Sequence, residues 1–246
     1  MNEIDYRKKH RIQLIFNIIL AIGLITCIFL IIFLNNTSSP LSPSEIFESA
    51  QYSVVELRSQ LDSKVVSYGS AVFIEDDGTL VSNAHMVTYK EAGTYHLYEK
   101  YDIRFSYEKE YRSVSLVKYD LEQDISILML NDLSDVKFRA INTADSSIIK
   151  SGDKVYAVGN ALNHGIGITQ GIVSLPQVNI EIEDNVRNVI QCDLIINEGN
   201  SGGALLNEDG ALIGITTFRL KDSLGNVIYG VAFSIPINLV MEFLTK

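Results

Sequence analysis

The chain has 246 residues, 47% of them hydrophobic, with a formal net charge of −10 and only two cysteines. This length is sufficient for one or two domains with a substantial core. The acidic balance argues against nucleic acid as a partner, because a negatively charged surface repels phosphate. We expect no intrachain disulfide, no metal and no cofactor, since Cys27 lies in an apolar segment and Cys192 in a predicted strand without metal-ligand spacing around it.

Residues 12–34 form an uncharged stretch composed mostly of Ile, Leu and Phe. As a helix this stretch spans roughly 35 Å, enough to cross the hydrocarbon layer of a membrane. Four Lys or Arg residues lie between positions 7 and 11, and the next one is Arg58. The asymmetry predicts a single-pass plasma-membrane protein with residues 1–11 in the cytoplasm and the remainder outside it.

Two alternatives to an uncleaved anchor remain open for this segment. A cleavable signal peptide has an apolar region of about 7–15 residues, shorter than this one, and Thr37-Ser38-Ser39 is a weak cleavage sequence. A lipoprotein would carry its lipid on Cys27, but the apolar run continues to Leu34. We therefore favour the anchor.

Residues 35–45 are rich in Ser, Asn and Pro and are expected to form a linker. Ser42-Pro43-Ser44-Glu45 resembles a capping box with proline at the first helical position, which predicts a short helix to about Gln51. The main domain is expected over residues 46–246, and its length suits two small barrels over approximately 46–140 and 141–246.

The main domain consists of short β-branched or aromatic runs with turn residues between them, which predicts an all-β sandwich or barrel. Asp77-Gly78 is a hairpin signal, and Ile235-Pro236 begins a final apolar helix. The predicted strands cover residues 54–58, 65–68, 70–75, 79–82, 103–107, 114–118, 125–130, 154–158, 171–175, 189–193, 204–206, 211–217 and 231–234.

The run Gly199-Asn200-Ser201-Gly202-Gly203 places a serine in a backbone that glycine allows to turn sharply. The N–H groups of Gly199 and Ser201 can then point to one spot, as the stabilisation of an oxyanion requires. A serine hydroxyl becomes a useful nucleophile only when a base removes its proton. The run therefore predicts a nucleophile and its oxyanion hole, provided that a histidine is near.

Four histidines are available as the base, and Asp residues are candidates to orient it. His10 precedes the apolar segment, and His96 and His164 lie in regions expected to be loops. His85 ends the predicted hairpin, where a side chain can project into a cleft. Asp124 stands immediately before an apolar strand, which suits a partly buried carboxylate, and the competing carboxylates are Asp120 and Asp102.

The order His85, Asp124, Ser201 is that of chymotrypsin-fold serine proteases, and the local sequences resemble the HtrA/Deg group of that fold. The resemblance implies two six-stranded antiparallel β-barrels with the active site between them, in a short membrane-anchored form without a PDZ domain. It covers about residues 46–246 through ordered motifs at 69–74, 77–78, 82–85, 120–128, 158–160, 169–174, 191–193, 199–203, 210–215 and 230–236.

The resemblance also implies roles for individual residues. His85 is the general base, Asp124 orients it, Ser201 is the nucleophile, and the N–H groups of Gly199 and Ser201 form the oxyanion hole. Ile195, six residues before Ser201, is expected at the floor of the primary pocket, which predicts cleavage after small or medium aliphatic residues. Substrate is expected to pair as an added strand with Ile213, Gly214, Ile215, Thr216 and Thr217.

The function expected from this resemblance is a membrane-tethered serine endopeptidase that degrades unfolded or damaged extracytoplasmic proteins. A latent or inactive HtrA-like module that binds peptides at the membrane, as a chaperone does, is the alternative. The partners are then extended polypeptides and the membrane, with a homo-oligomer left open.

Overall fold

The computed structural model describes residues 3–36, 40–182, 185–221 and 227–246, and the chain divides into two compact units. The first unit, Met1–Pro40, contains helix α1 (Glu3–Asn36). Within it, Lys8–Ile31 is long and apolar enough to cross a membrane, with a mean hydropathy of 2.9 and none of it buried. The expected N-terminal apolar helix is therefore present. The predicted linker, residues 35–45, lies in part outside the described residues, and the weak cleavage sequence, residues 37–39, lies wholly outside them.

The second unit, Leu41–Lys246, begins with helix α2 (Pro43–Ala50) and ends with helix α3 (Ile237–Thr245). The predicted capping box of α2 is confirmed, because Ser42 and Glu45 each bond the backbone N–H of the other. Between the helices lie β1 (Val54–Leu61), β2 (Lys64–Phe73), β3 (Thr79–Ser82), β4 (Thr88–Glu91), β5 (Thr94–Leu97), β6 (Lys100–Arg104), β7 (Arg112–Asp120), β8 (Ile125–Leu130), β9 (Lys154–Gly159), β10 (Gly167–Ile182), β11 (Asn185–Cys192), β12 (Ala204–Leu206), β13 (Leu212–Lys221) and β14 (Val227–Pro236).

These strands form two closed barrels of six strands each. The first barrel has the order β1-β2-β3-β8-β7-β6, and the second has the order β10-β11-β14-β13-β12-β9, with antiparallel pairing throughout. The predicted two-barrel fold is confirmed. Strands β4 and β5 form a separate hairpin outside the barrels.

Apolar side chains fill both barrels and the space between them. Phe73, Phe105 and Leu128 lie in the first barrel, and Ile190 and Leu205 in the second. A third cluster joins strands of both barrels to the two helices, and it includes Ile46, Val72, Ile125, Val158, Ile215 and Val240. Each such buried side chain contributes about 1.5–3 kcal/mol, so this cluster fixes the barrels against each other and positions any site between them.

Several elements differ from the predicted strands; for example, β6 (Lys100–Arg104) begins three residues before the predicted strand 103–107. Residues 65–68 and 70–75 were expected as two strands, but β2 continues through Gly69. Strand β10 extends past Pro176, where the expected strand ended. The segment around His96, expected as a loop, is strand β5 paired with β4.

Candidate active site

His85 lies in a 3-10 turn, Ala84–Met86, directly after β3. The turn is attached to the beginning of β8 and to the residue before it: the Asn83 side chain donates to the carbonyl of Asp124 (3.1 Å), and the hydroxyl of Ser126 donates to the carbonyl of Asn83 (2.9 Å). The imidazole side chain is 46% exposed, so part of the ring is open to the cleft. His85 can thus contact a substrate and a buried partner simultaneously.

Asp124 is the buried partner of His85. Its carboxylate lies 2.9 and 3.0 Å from His85 Nδ1, and it also accepts the backbone N–H of His85 at 3.0 Å. On the other side it accepts the hydroxyl of Thr217 at 2.6 Å. The Asp124 residue is 3% exposed and has a left-handed backbone with φ +59°. These contacts orient the His85 ring with Nδ1 toward the carboxylate and leave Nε2 for the cleft.

The pKa values of the pair shift in opposite directions. Burial lowers the pKa of His85, but the charge of Asp124 and the hydrogen bond to it prevail, so the pKa of His85 lies above its ordinary value. Burial raises the pKa of Asp124, yet the contacts with His85 and Thr217 hold it below its ordinary value. Asp124 is therefore ionised at neutral pH and stabilises a protonated His85.

Ser201 lies in a tight turn with Gly202, and the rest of the domain surrounds this turn. Gly202 has φ +82°, and a Cβ there would lie 2.1 Å from the carbonyl oxygen of Ser70, so only glycine fits. The N–H of Ser70 donates to the carbonyl of Ser201 (2.8 Å), and the Ser70 hydroxyl donates to the carbonyl of Gly199 (2.8 Å). Ser70 on β2 thus fixes the serine turn of the second barrel to the first barrel.

The backbone N–H groups of Gly199 and Ser201, the two expected oxyanion donors, are available to a bound oxygen. The carbonyl of Glu198 accepts the N–H of Leu162 at 2.7 Å. Because the peptide bond is trans, the N–H of Gly199 points away from Leu162. Across the described parts of the chain, neither Gly199 nor Ser201 donates its N–H to a protein acceptor. Both groups are therefore available to a bound oxygen.

The hydroxyl of Ser201 donates to the carbonyl of Thr217 at 2.7 Å. Among the described residues, no hydrogen bond joins this hydroxyl to His85. His85, Asp124 and Ser201 nevertheless line one cleft, of about 420 Å³, together with Thr217 and other residues including Phe218, Ile196, Leu121 and Arg187. The three residues chosen from the sequence are thus brought together at the junction of the barrels, although the hydroxyl and the imidazole are not yet bonded.

The expected substrate strand is only partly accessible. Gly214 and Ile215 pair with β12 on one side and β14 on the other. Thr216 exchanges hydrogen bonds with Gly202 and Gly203. Strand addition over the whole of residues 213–217 is therefore sterically closed, and Thr217 is the first position whose backbone faces the cleft.

Ile195 lies apart from the cleft that contains Ser201. Ile195 is 58% exposed and lines a narrow depression together with Ile228 and Tyr229. Ile196, which is 6% exposed, lines both this depression and the cleft. The apolar residue adjoining the reacting groups is thus one position later than expected.

Comparison with known proteins is decisive for the family. Residues 69–215 match the family described as a trypsin-like peptidase domain. The periplasmic serine endoprotease DegP of Escherichia coli (strain K12) is 36% identical over 187 residues, which cover 74% of this chain and 36% of DegP. This chain belongs to the HtrA family of trypsin-fold serine endoproteases.

Other HtrA proteins agree in sequence and fold. The serine protease HTRA1A of Danio rerio is 30% identical over 207 residues, covering 82% of this chain and 38% of that protein. The structure of the HtrA-type protease AlgW with a tripeptide has a TM-score of 0.70 and 30% identity, covering 83% of this chain and 63% of that one. The chain spans less than two fifths of the length of DegP and HTRA1A.

Three residues of the site were not found from the sequence. Ser70 stands in a motif of the resemblance and Ile196 lies next to the expected pocket residue Ile195, but the contacts of both depend on how the barrels meet. Arg187 of β11 carries no local signal at all, because a single arginine in a strand is normally a surface residue. Its side chain is only 12% exposed and approaches Asp124, 63 positions earlier in the chain, at 3.6 Å.

Proposed function

We propose that this chain is a serine endopeptidase in which Ser201 is the nucleophile, His85 the general base and Asp124 the residue that orients it. The observation that carries the proposal is the buried Asp124 carboxylate 2.9 Å from His85 Nδ1, in the same cleft as Ser201. In the reaction, His85 Nε2 takes the proton of Ser201 as Oγ attacks a peptide carbonyl, then gives it to the leaving amine. The N–H groups of Gly199 and Ser201 bind the oxyanion.

Substrate binding would complete the site through Thr217. An extended peptide pairing with residues 217–218 presents a backbone N–H to the Thr217 carbonyl. That carbonyl is the acceptor of the Ser201 hydroxyl in the free protein. Peptide binding therefore releases the hydroxyl toward His85 and couples nucleophile activation to substrate occupancy.

We further propose cleavage after small or medium aliphatic residues. In support, the apolar residues Ile196 and Phe218 line the cleft, and Leu194 belongs to the same buried cluster as Ile196. If the residue before the cleaved bond were Lys or Arg, its side chain would find no carboxylate on Ile196, Phe218 or Leu194. Unfolded or damaged extracytoplasmic proteins supply such bonds in extended form, which fits recognition through the backbone.

The full chain in detergent is expected to degrade a reduced, unfolded protein and to spare the same protein when folded. Mass spectrometry should place the new carboxyl termini at Val, Ala or Ile. An organophosphonate, whose phosphorus forms an ester with an activated serine and loses its leaving group, should stop the degradation and label Ser201. Cleavage after Lys or Arg would overturn the pocket assignment, and labelling at another serine would overturn the nucleophile.

For the apolar helix we propose a permanent anchor that holds the protease domain outside the cytoplasm. The support is the length of the Lys8–Ile31 segment and the basic residues that precede it. A protein with tags at both ends should remain in the membrane after carbonate extraction, and protease added outside the cell should remove only the C-terminal tag. A soluble product that begins after residue 34 would mean a cleaved signal sequence instead.

One observation favours a second candidate, a latent module that binds peptides without cutting them. The Ser201 hydroxyl is bonded to Thr217 and not to His85. If substrate does not displace this bond, the serine stays unactivated while the cleft still holds peptides. The latent module would be supported over the protease if the chain binds an unfolded peptide but the organophosphonate labels it neither in the presence nor in the absence of that peptide.

A further inference from the structure

The side chain of Arg187 crosses from the second barrel to the turn that carries Asp124. Its Nη2 donates to the carbonyl of Leu121 at 2.9 Å, and its Nε donates to the carbonyl of Glu122 at 2.8 Å. The Nη1 atom lies 3.6 Å from Asp124 Oδ2. A planar guanidinium can reach three acceptors of one turn at once, which the single ammonium of lysine cannot reproduce.

This turn needs external support because of its backbone. Asp124 has φ +59°, a conformation that costs a residue with a Cβ about 1–2 kcal/mol. Asp120 supports the turn from within, since its carboxylate accepts the N–H groups of Glu122 and Gln123. The carbonyls of the same turn face the second barrel, and Arg187 satisfies two of them. Strained backbone at a functional site persists when its surroundings hold it in this way.

Arg187 also connects the two halves of the site. His85 and Asp124 belong to the first barrel, whereas Ser201 belongs to the second. Two side chains of the second barrel reach the Asp124 carboxylate: Thr217 by its hydroxyl and Arg187 by its guanidinium. Together they set where the carboxylate, and therefore the His85 ring, lies relative to Ser201.

We propose that Arg187 is a positioning residue of the active site, which holds the turn of Asp124 from the opposite barrel and so fixes the Asp124–His85 pair against Ser201. This proposal rests on the protease function proposed above. It adds an electrostatic consequence, because a cation beside Asp124 partly offsets the carboxylate charge felt by His85. Arg187 accordingly acts to lower the pKa of His85, against the raising effect of Asp124.

The other charged groups around the pair come from three elements. Lys90 of β4 and Glu198 of the serine loop line the same cleft. Asp120 begins the turn and Glu122 lies within it, and the Asp120 carboxylate accepts the backbone N–H groups of Glu122 and Gln123. The positive charge of Arg187 lowers the pKa of His85. Removal of that charge should therefore raise the pKa of His85.

The test compares Arg187→Gln and Arg187→Lys in the full chain. The Gln variant should lose between about tenfold and a hundredfold in kcat, with KM little changed, as expected when a catalytic pair is displaced by a fraction of an ångström. The acidic limb of its kcat/KM profile should move to higher pH. The Lys variant keeps the charge, so its acidic limb should stay near that of the wild type while kcat remains reduced.

Arg104→Gln is the matched control, since Arg104 pairs with the buried Glu56 at 2.7 Å on strands of the first barrel. Both Gln variants should lower the thermal midpoint, but only Arg187→Gln should change the pH profile. If Arg187→Gln unfolds more easily and yet keeps the kcat and the acidic limb of the wild type, Arg187 is merely a structural bridge and the proposal is wrong.

A second measurement needs no turnover. In the Ser201→Ala background, the imidazole of His85 can be titrated by NMR, with its signal assigned by its loss in His85→Gln. Adding Arg187→Gln should move this titration to higher pH, and an unmoved titration would overturn the proposal. Because the readout is independent of cleavage, a chain without protease activity would contradict the proposed function but still test Arg187.

Discussion

Ser201→Ala is expected to lower kcat by about 10⁶-fold while the affinity for an unfolded peptide stays equal to that of the wild type or rises. The loss of rate follows because the acyl intermediate forms on the Ser201 hydroxyl, which alanine lacks. Affinity is retained because the Thr217 carbonyl, which the Ser201 hydroxyl occupies in the free protein, becomes available to a substrate N–H. Single-turnover cleavage and fluorescence anisotropy of a labelled peptide measure the two quantities.

Ser106→Ala is the control for this variant, because Ser106 is an exposed serine that does not line the cleft. It should match the wild type in both measurements. Residual activity of Ser201→Ala within tenfold of the wild type would mean that another residue is the nucleophile. A large loss of peptide affinity would instead mean that the Ser201 hydroxyl supports the cleft and does not compete for Thr217.

The candidate site was largely predictable because its residues stand in short local patterns. Gly202 is adjacent to Ser201 and has the positive φ that the turn requires, so one peptide segment encodes the geometry of the serine. Asp124 and His85 both stand at strand ends, where a polar side chain can face a cleft between barrels. The local sequence was therefore sufficient to predict which residue serves each role and where it lies relative to a strand.

Contacts between distant segments were not predictable in the same way. The role of Arg187 depends on a strand of the second barrel meeting a turn of the first, and the accessible length of β13 depends on which strands flank it. Even the hydroxyl direction of Ser201 is decided by the Thr217 carbonyl, 16 residues later. Such facts follow from the packing of the barrels, which the sequence pattern does not specify.

The strand boundaries that differed have specific physical causes. Gly69 predicts a break between two strands, but it lies within β2. Glycine is needed at this position because a Cβ would lie 2.5 Å from the Met86 side chain and 3.0 Å from the carbonyl oxygen of Ser201. Pro176 also reads as a break, since it has no N–H to donate. Strand β10 accommodates it at a register shift between Leu175 and Val178, where the ladder is already interrupted. Both residues interrupt a pattern without ending the strand.

Asp124→Asn is expected to lower kcat by about 10⁴-fold with the fold preserved. The Asn oxygen can keep the bond from the backbone N–H of His85, and the amide nitrogen then takes the place of the oxygen that faces Thr217 and His85 Nδ1. The amide donates to His85 Nδ1, which favours the tautomer with the ring proton on Nε2, and this tautomer cannot accept the proton of Ser201. The variant should retain its thermal midpoint to within a few degrees, and steady-state kinetics on an aliphatic peptide measures kcat.

The carboxylates that competed with Asp124 in the sequence provide its controls. Asp120→Asn should stay within a few-fold of the wild-type kcat, because Asp120 accepts only backbone N–H groups, a role that Asn can also fill. Asp102 is buried in an ion pair with Arg58 at 3.1 Å. Asp102→Asn should therefore lower the free energy of unfolding by about 3 kcal/mol and leave kcat/KM unchanged. A 10⁴-fold loss in either control would reassign the orienting carboxylate.

The pH profile separates the charge of Asp124 from its geometry. His85 acts as a base only when neutral, so activity falls as the pH drops through its pKa, which Asp124 holds above the ordinary value of about 6.5. Removal of the carboxylate charge takes away that support, and burial and Arg187 then both lower the pKa of His85. The acidic limb of the residual Asp124→Asn activity should consequently move to lower pH, opposite in direction to Arg187→Gln. Two variants around one imidazole that shift in opposite directions would locate the titrating base at His85, whereas shifts in the same direction would place it elsewhere.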